Sequence, residues 1–430
     1  MPPGGSKLPG TDRISHEMPG RLLVLSNGHG EDLIALRVLE ALVKRCPGLD
    51  LSVLPLVGEG RAYAAAERAG WLRLVGPRQP LPSGGFSNQS LRGLLADLGA
   101  GVLGLSLRQW RLVRRWGRRG DPVLAVGDLL PLLLAWGSGA PFGFIGTPKS
   151  DYTWASGPGR SFLADGYHRL KGSEWDPWEW ALMASRRCHL VAVRDRLTAR
   201  GLRHHRVAAL APGNPMMDGL APDPLPAAWL AVPRLLLLGG SRMPEALSNL
   251  RHLLEALAAL PGPEPLLVLA PTGSQPAPAQ WGELLEGLGY RAAPLPEGFG
   301  AAAAWRCGNR WLLIGPGRFA AWAAQADVAL AAAGTATEQA VGLGVPALSL
   351  PGPGPQFKLG FAQRQSRLLG GSVRVCGSPA ALAQRLELLL REPGLRRELG
   401  TIGRRRMGEA GGSEALAALI EQRLLRRDDG

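Results

Sequence analysis

The sequence predicts an α/β protein made of two similar halves, each built on a parallel sheet, with one cleft between them. The first observation behind this prediction is RLLVLS, Arg21–Ser26, a strand that leads directly into a glycine-rich turn and an amphipathic helix. The second is a restart of the same pattern at Arg234–Leu238, where two glycines and another helix follow the strand. Residues 221–233, between the halves, are rich in proline and alanine, which is typical of a linker. Strand, glycine turn and helix in this order open a Rossmann-like half.

The first half, expected to span residues 21–220, continues the alternation of apolar runs and polar turns. Residues 122–146 carry an aspartate, prolines and glycines inside an apolar stretch, so they predict strand, loop, helix and strand rather than a membrane span. Residues 152–180 hold several tryptophans with little periodicity and predict an irregular insertion. The other elements expected here are strands at 51–57, 123–126 and 188–193 and helices at 32–45, 61–69 and 194–200.

The second half, expected to span residues 234–410, alternates in the same way. A final helix is expected at 414–426, within a C-terminal segment 411–430. Residues 1–20 lack the apolar core of a signal peptide and are expected to form a disordered lead-in. The other elements expected here are strands at 265–270, 311–314, 328–333 and 345–350 and helices at 244–260, 319–325 and 337–343.

Composition and charge restrict the class of partner. The chain has 430 residues, enough for two α/β domains with a substantial core in each. Lysine and arginine number 49 against 35 acidic residues, a formal net charge of +14 that favours an acidic partner. The alternative is a biased composition on a well-solvated surface. The sequence has neither zinc-finger spacing nor an RNA-binding signature, so we expect no nucleic-acid partner. Its four widely spaced cysteines predict free thiols in a reducing, cytoplasmic compartment.

The apolar run 91–107 is followed at once by a basic and aromatic cluster. That cluster consists of Arg108, Trp110, Arg111, Arg114, Arg115, Trp116, Arg118 and Arg119. An apolar helix flanked by arginines and tryptophans has the composition of a membrane-surface patch. A core helix with a solvated basic end accounts for the same composition. The first interpretation predicts peripheral association with an anionic membrane surface, on its cytoplasmic face.

The stretch 327–351 predicts a strand, a glycine turn and a helix, then a second strand. Gly334 ends the first apolar run, and Thr335 is a good N-cap for the helix that follows. Such a unit places backbone N–H groups and a helix N-terminus at the carboxyl edge of a parallel sheet. That arrangement favours an anion, most often a phosphate. The alternative is that the glycine only makes a tight turn and the threonines only cap the helix.

Five short patches, taken together and in order, carry a resemblance to a known family. They are NGHGED (27–32), VGDLLPLLLAW (126–136), PGNPMMD (212–218), GGSRMPE (239–245) and GTATEQ (334–339). They resemble lipid-A-disaccharide synthase and its relatives, which are GT-B glycosyltransferases. The match is closer to the branch called lipid-A-disaccharide-synthase-related proteins. The resemblance implies the GT-B fold: two Rossmann-like domains whose parallel sheets face each other across a central cleft. The first domain would hold the acceptor and the second the UDP-sugar.

The resemblance also implies a set of donor-binding residues. The family pattern G-T-x-T-L-E is matched at three positions; the carboxylate comes one residue early, and a glutamine stands at the family's ribose-binding position. The family turn P-G-S-R-x-x-E, which lies against the nucleotide diphosphate, is matched at four positions. The residues assigned to the donor are Gly334, Thr335, Thr337, Glu338, Gln339, Gly240, Ser241, Arg242 and Glu245. An arginine suits the diphosphate because its guanidinium is planar and permanently charged.

The remaining assignments complete the substrate-binding set. Gln356 lies in the Pro/Gly loop after the donor pattern. Asn214 replaces the histidine of the family's V-G-H-P-L-x-D. Gly28 and Gly30 belong to the turn that resembles the acceptor side of the family.

A GT-B site without a D-x-D motif controls charge with helix N-termini and an arginine, so we expect neither a metal nor a cofactor. Deprotonation of the acceptor hydroxyl requires a base. Asp128 and His29, at two neighbouring strand ends, are the candidates, and the family places an aspartate in a segment comparable to that of Asp128. Two simpler roles stay open, since Asp128 also suits the cap of the helix that follows it, and His29 also suits a polar surface position.

The expected function is therefore an inverting, metal-independent glycosyltransferase that moves a hexosamine, GlcNAc in the first instance, from a UDP-sugar to a lipid or lipid-like acceptor. One alternative is an enzyme of the UDP-GlcNAc 2-epimerase kind, which has the same two-lobed fold. The other is a catalytically silent UDP-sugar-binding protein.

Overall fold

The computed structural model describes residues 20–78, 102–159, 162–260, 265–352 and 357–426. The N-terminal lead-in, apart from Gly20, and most of the apolar run 91–107 lie outside these ranges. Within them, two sheets with helices packed on their faces confirm the α/β class. The strands of the first sheet all fall within 21–220, and those of the second all fall within 234–410.

Strands are numbered in chain order. Those of the first sheet are β1 (Arg21–Ser26), β2 (Asp50–Pro55), β3 (Arg73–Leu74), β4 (Val123–Gly127), β5 (Phe142–Gly146), β6 (Cys188–Val193) and β7 (Ala209–Leu210). Those of the second are β8 (Arg234–Leu238), β9 (Leu266–Thr272), β10 (Arg291–Ala293), β11 (Ala303–Cys307), β12 (Arg310–Pro316), β13 (Val328–Ala331), β14 (Ala347–Ser349) and β15 (Val373–Val375).

Helices are numbered in the same way. In the first half they are α1 (His29–Arg45), α2 (Ala64–Arg68), α3 (Val102–Gly117), α4 (Leu129–Ser138), α5 (Tyr152–Ala155), α6 (Phe162–Lys171), α7 (Pro177–Met183) and α8 (Arg196–His204). In the second half they are α9 (Glu245–Ala258), α10 (Pro278–Gly287), α11 (Phe319–Ala323), α12 (Thr335–Gly342), α13 (Leu359–Leu368), α14 (Pro379–Arg391), α15 (Pro393–Met407) and α16 (Gly412–Ile420). Short 3₁₀ turns lie at Arg61–Tyr63, Pro215–Met217 and Ala227–Trp229, and a π-helical turn at Glu421–Leu425 follows α16.

The strand order determines where each sheet can bind a ligand. Among the described residues, the first sheet runs β3-β2-β1-β4-β5-β6-β7 with every pair parallel. The second runs β10-β11-β12-β9-β8-β13-β14-β15, and antiparallel pairs occur only at β10, β11 and β12. The order reverses direction between β1 and β4 in the first sheet and between β8 and β13 in the second. A crevice opens at such a reversal, at the carboxyl ends of the strands.

Local patterns located many of these elements but not α10, α14 or α15, and they also misjudged residues 152–180. That segment is not irregular, because it contains α5, α6 and α7 in its described residues. Its helical periodicity is masked because polar side chains are buried in the helices: Asp165 of α6 and Glu179 of α7 are almost fully buried, and Glu179 bonds Lys149. Residues 122–146 form β4, α4 and β5, as expected. In the described ranges, none of the helices has the length and apolar character needed to cross a bilayer.

Contacts between the halves fix the cleft. Arg194, at the end of β6, forms an ion pair at 2.9 Å with Glu338 in α12, and the two side chains are only 9% and 14% exposed. Arg367 in α13 donates twice to the Asp165 carboxylate of α6, at 2.7 and 2.9 Å. The C-terminal helix α16 returns to the first half and packs against α1. The chain therefore crosses between the halves twice, at the linker and before α16.

We expect Arg194→Met to lower the free energy of unfolding by about 3–5 kcal/mol, because it leaves the Glu338 carboxylate buried without a cation. Urea denaturation followed by tryptophan fluorescence measures this loss. The matched control is Arg61→Met, which removes an exposed pair with Glu59 and should cost less than about 1 kcal/mol. Adding Glu338→Leu to Arg194→Met should recover much of the loss; equal losses in Arg194→Met and Arg61→Met would contradict the prediction.

Candidate functional site

The predicted site residues gather where the two strand orders reverse. In the first half, Asn27 follows β1 and Asp128 follows β4, two neighbouring strands. In the second half, Gly239 follows β8 and Ala332 follows β13, which are also neighbours. The two edges approach each other closely, since a Cβ built on Gly30 would lie 3.8 Å from the Thr335 hydroxyl oxygen. The glycine turns of the two halves therefore lie opposite each other across the cleft.

Asp128 has two partners on the first side of the cleft. Its Oδ1 accepts a hydrogen bond from Asn27 Nδ2 at 2.7 Å and another from the Leu130 N–H at 3.1 Å. Asp128 is thus the N-cap of α4, as the simpler interpretation expected, and it also faces the end of β1. Gly127 permits this closeness, because with φ 135° any Cβ there would come within 2.9 Å of Asn27. Burial raises the pKa of Asp128.

Glu31, in the first turn of α1, is a carboxylate of the cleft that sequence reasoning missed. It accepts a hydrogen bond from the Thr147 hydroxyl at 3.4 Å, after β5, and its Cγ would lie 3.5 Å from a Cβ on Gly127. Burial raises the pKa of Glu31 to about 7, and the charge of Asp128 adds to the increase. Burial raises the pKa of both carboxyl groups, and the two lie close enough for the charge of Asp128 to act on Glu31. The only signal in the sequence was the consecutive Glu31 and Asp32 of NGHGED.

Asp32, beside Glu31, has a different environment. It is buried and accepts a hydrogen bond from the Ser26 hydroxyl at 2.6 Å, while Tyr63 donates to the same Ser26 oxygen at 2.9 Å. Burial raises the pKa of Asp32 to about 6, partly offset by the Ser26 hydrogen bond. This closed network anchors the start of α1 beneath the cleft.

The turn between β1 and α1 contains three predicted residues. Gly28 has φ 117° and occupies the N-cap position of α1, which begins three residues earlier than expected. Gly30 faces Thr335. His29 is the first residue of α1, but its side chain lies outside the described part of the structure. Its role as a base stays a prediction.

On the second side, Gly334 and α12 form the expected turn into a helix. The boundary differs slightly, because α12 begins at Thr335 and Gly334 occupies the N-cap position without a side-chain cap. Thr335 is therefore not the N-cap, and its exposed side chain faces Gly30 instead. Thr337 is fully buried and donates its hydroxyl to the Ala333 carbonyl at 2.6 Å. Thr337 thus stabilises the turn through this hydrogen bond, and its contact with a substrate stays a prediction.

Glu338 and Gln339, assigned to the donor by resemblance, make contacts between the halves. Glu338 pairs with Arg194. Gln339 is buried and donates to the Met216 carbonyl at 2.7 Å. Asn214 is buried as well: its amide accepts from the Met216 N–H at 3.1 Å and donates to the Met407 carbonyl at 3.2 Å. In this arrangement all three side chains hold the halves together, and their contact with a substrate stays a prediction.

The second glycine turn of this side lies directly beside the first. Gly240 adopts φ 93°, and a Cβ there would be 3.3 Å from the Ala332 carbonyl oxygen, just before Gly334. Ser241 is exposed and Arg242 half-buried, ahead of α9, whose first residue is Glu245. Burial lowers the pKa of Arg242, while the Glu245 carboxylate raises it. Arg242 thus follows directly on a turn that packs against the strand-to-helix turn at Gly334.

Two side chains of α13 near Gly334 were not predicted. A Cβ on Gly334 would lie 3.8 Å from the edge of the Phe361 ring, which is partly exposed. Gln365 donates to the carbonyls of Ala333 and Gly334, at 3.3 and 3.1 Å. Its Oε1 is buried and meets no hydrogen-bond partner among the described residues. Gln356, in the preceding loop, lies outside the described residues.

The described ranges include possible metal ligands and the greater part of the apolar and basic helix α3. In these ranges no three histidine, cysteine or acidic side chains lie close enough to hold a metal ion.

One face of α3 belongs to the core, because Leu105, Val113 and Trp116 are buried. On the other face, Leu107 and Trp110 are 46% and 41% exposed. The neighbouring α4 exposes Leu133 and Trp136. The six arginines that follow Leu107 are exposed beside these apolar groups and surround them with positive charge: Arg108, Arg111, Arg114, Arg115, Arg118 and Arg119.

Comparison with known proteins identifies the fold. No protein-family model and no curated protein matches the chain. Among solved structures, UDP-GlcNAc 2-epimerase from Neisseria meningitidis bound to UDP-GlcNAc is similar at 14% identity and a TM-score of 0.54, over 94% of this chain and 100% of that one. MurG from Acinetobacter baumannii is similar at 16% identity and a TM-score of 0.53, over 94% and 100%. The spinosyn forosaminyltransferase SpnP is similar at 17% identity and a TM-score of 0.53, over 94% and 99%. The chain therefore has the GT-B fold, with two parallel-rich α/β domains on either side of a central cleft.

Proposed function

We propose that this protein is an inverting, metal-independent glycosyltransferase that transfers a hexosamine from a UDP-sugar, UDP-GlcNAc in the first instance, to a lipid or lipid-like acceptor. The proposal places it with the lipid-A-disaccharide-synthase-like enzymes that its short motifs resemble. The observation that carries it is the meeting of Gly30 and Thr335, which sets a carboxylate pair of one domain opposite the glycine turns of the other.

The donor side suits a sugar nucleotide. The diphosphate would lie between the Gly240 turn and the N-terminus of α12, where Arg242 and the helix dipole both favour negative charge. The buried and unbonded Oε1 of Gln365 is suited to accept a hydrogen bond from the uracil N–H. Phe361 adds an apolar wall beside Gly334. Similarity to an epimerase that binds UDP-GlcNAc supports this choice of donor.

The acceptor side suits proton removal. Inversion requires the acceptor oxygen to attack the sugar from the face opposite the leaving UDP, and a base must take its proton. Asp128, with Glu31 beside it, would supply that base, because burial raises the pKa of both carboxyl groups and a carboxylate with a raised pKa is a stronger base. The leaving diphosphate would be stabilised by Arg242 and backbone N–H groups, without a metal. His29 stays the rival base.

A lipid acceptor fits the exposed face of α3 and α4. That face combines Leu107, Trp110, Leu133 and Trp136 with surrounding arginines, and it belongs to the proposed acceptor domain. We place the protein in the cytoplasm, peripherally on an anionic membrane surface. Arginines attract anionic head groups while the tryptophans lie at the level of the interface.

An epimerase remains a second candidate for a specific reason. Reversible proton transfer at a sugar carbon requires several ionisable groups in the cleft, and the Glu31–Asp128 pair provides more of them than the sequence suggested. The alternative of a catalytically silent binder is supported by Glu338 and Gln339. Both side chains already bond to residues of the other domain.

Incubation with UDP-GlcNAc and a membrane extract separates the three functions. The transferase yields a glycosylated lipid and UDP, the epimerase an epimerised sugar nucleotide, and the silent binder no product despite measurable binding. Failure to form a glycosylated lipid while an epimer accumulates would overturn the proposal in favour of the second candidate.

We expect Arg242→Ala to weaken UDP binding by about 1.5–3 kcal/mol, the usual contribution of a hydrogen bond to a charged group. Calorimetric titration with UDP measures the change. Arg251→Ala, on the exposed surface of α9, removes the same charge outside the turn and should bind UDP like the wild type. Unchanged affinity in Arg242→Ala would exclude this residue from the donor site.

We expect both Asp128→Asn and Glu31→Gln to keep the affinity for UDP. Turnover should fall in both, and by about 10²–10⁴ in whichever variant removes the base. Asparagine caps a helix about as well as aspartate, so α4 should stay folded in Asp128→Asn. Because the pKa of Glu31 is about 7, wild-type kcat/KM should rise with pH through about 7 and then level off as Glu31 ionises beside Asp128. Glu31→Gln should displace that inflection.

Two controls test these assignments. Glu40→Gln, on the exposed side of α1, should behave like the wild type. His29→Ala discriminates the rival base, since the large loss would move to that variant. Full activity in Asp128→Asn and Glu31→Gln would exclude the carboxylate pair.

We expect the protein to pellet with anionic liposomes at low salt and to be released at high salt. Each arginine near such a surface contributes roughly 1 kcal/mol, and salt screens it. Trp110→Ala with Trp136→Ala should reduce the pelleted fraction several-fold, whereas Leu388→Ala, exposed on α14 of the other domain, should not. Equal binding to neutral and anionic liposomes would contradict this prediction.

A further inference from the structure

A cavity of ≈ 320 Å³ lies beside β15, the edge strand of the second sheet. Its walls include Pro158 and Gly159 of the first domain and side chains of α13, β15 and α14 of the second. Neither the Gly240 turn nor the Gly334 turn lines it. The cavity is therefore separate from the proposed sugar-nucleotide cleft.

Three arginines from three different elements line this cavity. They are Arg367 of α13, Arg374 of β15 and Arg385 of α14. Arg367 is neutralised by its ion pair with Asp165. The guanidinium groups of Arg374 and Arg385 have no ion pair or hydrogen bond with any residue that the structure describes. Two guanidinium groups without an acidic partner at one cavity favour an anion between them.

The first-domain wall of the cavity is held firmly against the second domain. The Ser156 hydroxyl donates to the Arg367 carbonyl at 2.8 Å. A Cβ built on Gly371, just before β15, would lie 3.3 Å from Pro158 Cδ and 3.6 Å from Arg374 Nη1. Gly371 therefore packs between Pro158 and the Arg374 guanidinium. Arg385 also lies near β15, because its charge opposes the increase that burial causes in the pKa of Cys376.

We propose that this cavity is a second anion site, which binds a phosphate ester between the two domains. Arginine pairs with phosphate through two parallel N–H···O bonds, and the two unpaired guanidinium groups provide such forks. The volume is at the lower end of the range for small-molecule sites, so it admits a phosphate with part of its carrier. Since residues of both domains line the cavity, its occupant would contact both of them.

The test is calorimetric titration of inorganic pyrophosphate into protein whose cleft is saturated with UDP. A parallel titration uses the Arg242→Ala background, so the result does not depend on UDP binding in the cleft. Arg374→Ala combined with Arg385→Ala should weaken pyrophosphate binding about 100-fold, roughly tenfold for each charged partner removed. Arg374→Lys combined with Arg385→Lys keeps the charge but loses the forks, so its affinity should be intermediate.

Arg391→Ala is the matched control, because Arg391 lies on α14 outside the cavity and pairs with Glu387. It should bind pyrophosphate within about twofold of the wild type. Glycerol 3-phosphate and vesicles containing phosphatidic acid then distinguish a soluble ester from a lipid head group; whichever competes with pyrophosphate identifies the source. Wild-type affinity in the double alanine variant, or no binding of millimolar pyrophosphate by the wild type, would overturn the proposal.

Discussion

The ion pair between Arg194 and Glu338 is the contact on which the shape of the cleft depends. It joins the end of β6 to the first turn of α12, and both side chains are largely removed from water. Buried charges are stable only when paired, so this contact tolerates little change in the angle between the domains. In the same arrangement of the domains, Gly30 lies against Thr335. The Glu338 carboxylate, which the motif assigns to the sugar nucleotide, also makes the contact with Arg194 between the domains.

In the first domain, two carboxyl groups are held at the cleft although their burial is electrostatically unfavourable. Glu31 and Asp128 lie close together and partly buried at the reversal of the strand order, and burial raises the pKa of both. A packed core would avoid two carboxyl groups in this position. Proteins place such perturbed groups mainly where chemistry or binding needs them. The neighbouring Asp32 differs from Glu31 and Asp128 because it belongs to a closed hydrogen-bond network with Ser26 and Tyr63.

The sequence by itself determined the fold class and the position of both glycine turns. β1 and β6 occupy the residues predicted for them, since a short apolar run between turn residues is a local signal. Asp128 and Gly334 were located for the same reason: each follows directly from the end of such a strand. The carboxyl ends of neighbouring parallel strands meet at one edge, so the fold class alone placed these residues near a crevice.

Only the tertiary structure decided which side chains meet. Glu31 differs from Asp32 because a helix turns one carboxylate towards Gly127 and Thr147 and the other towards Ser26. Gln339 and Asn214 bond to main-chain groups far away in the sequence, which no local motif records. In the sequence, Arg374 and Arg385 are only two of many arginines. The folded chain brings β15 and α14, and with them both arginines, to one cavity. Spacing along the chain specifies strands and turns, whereas burial and pairing arise only when distant segments pack together.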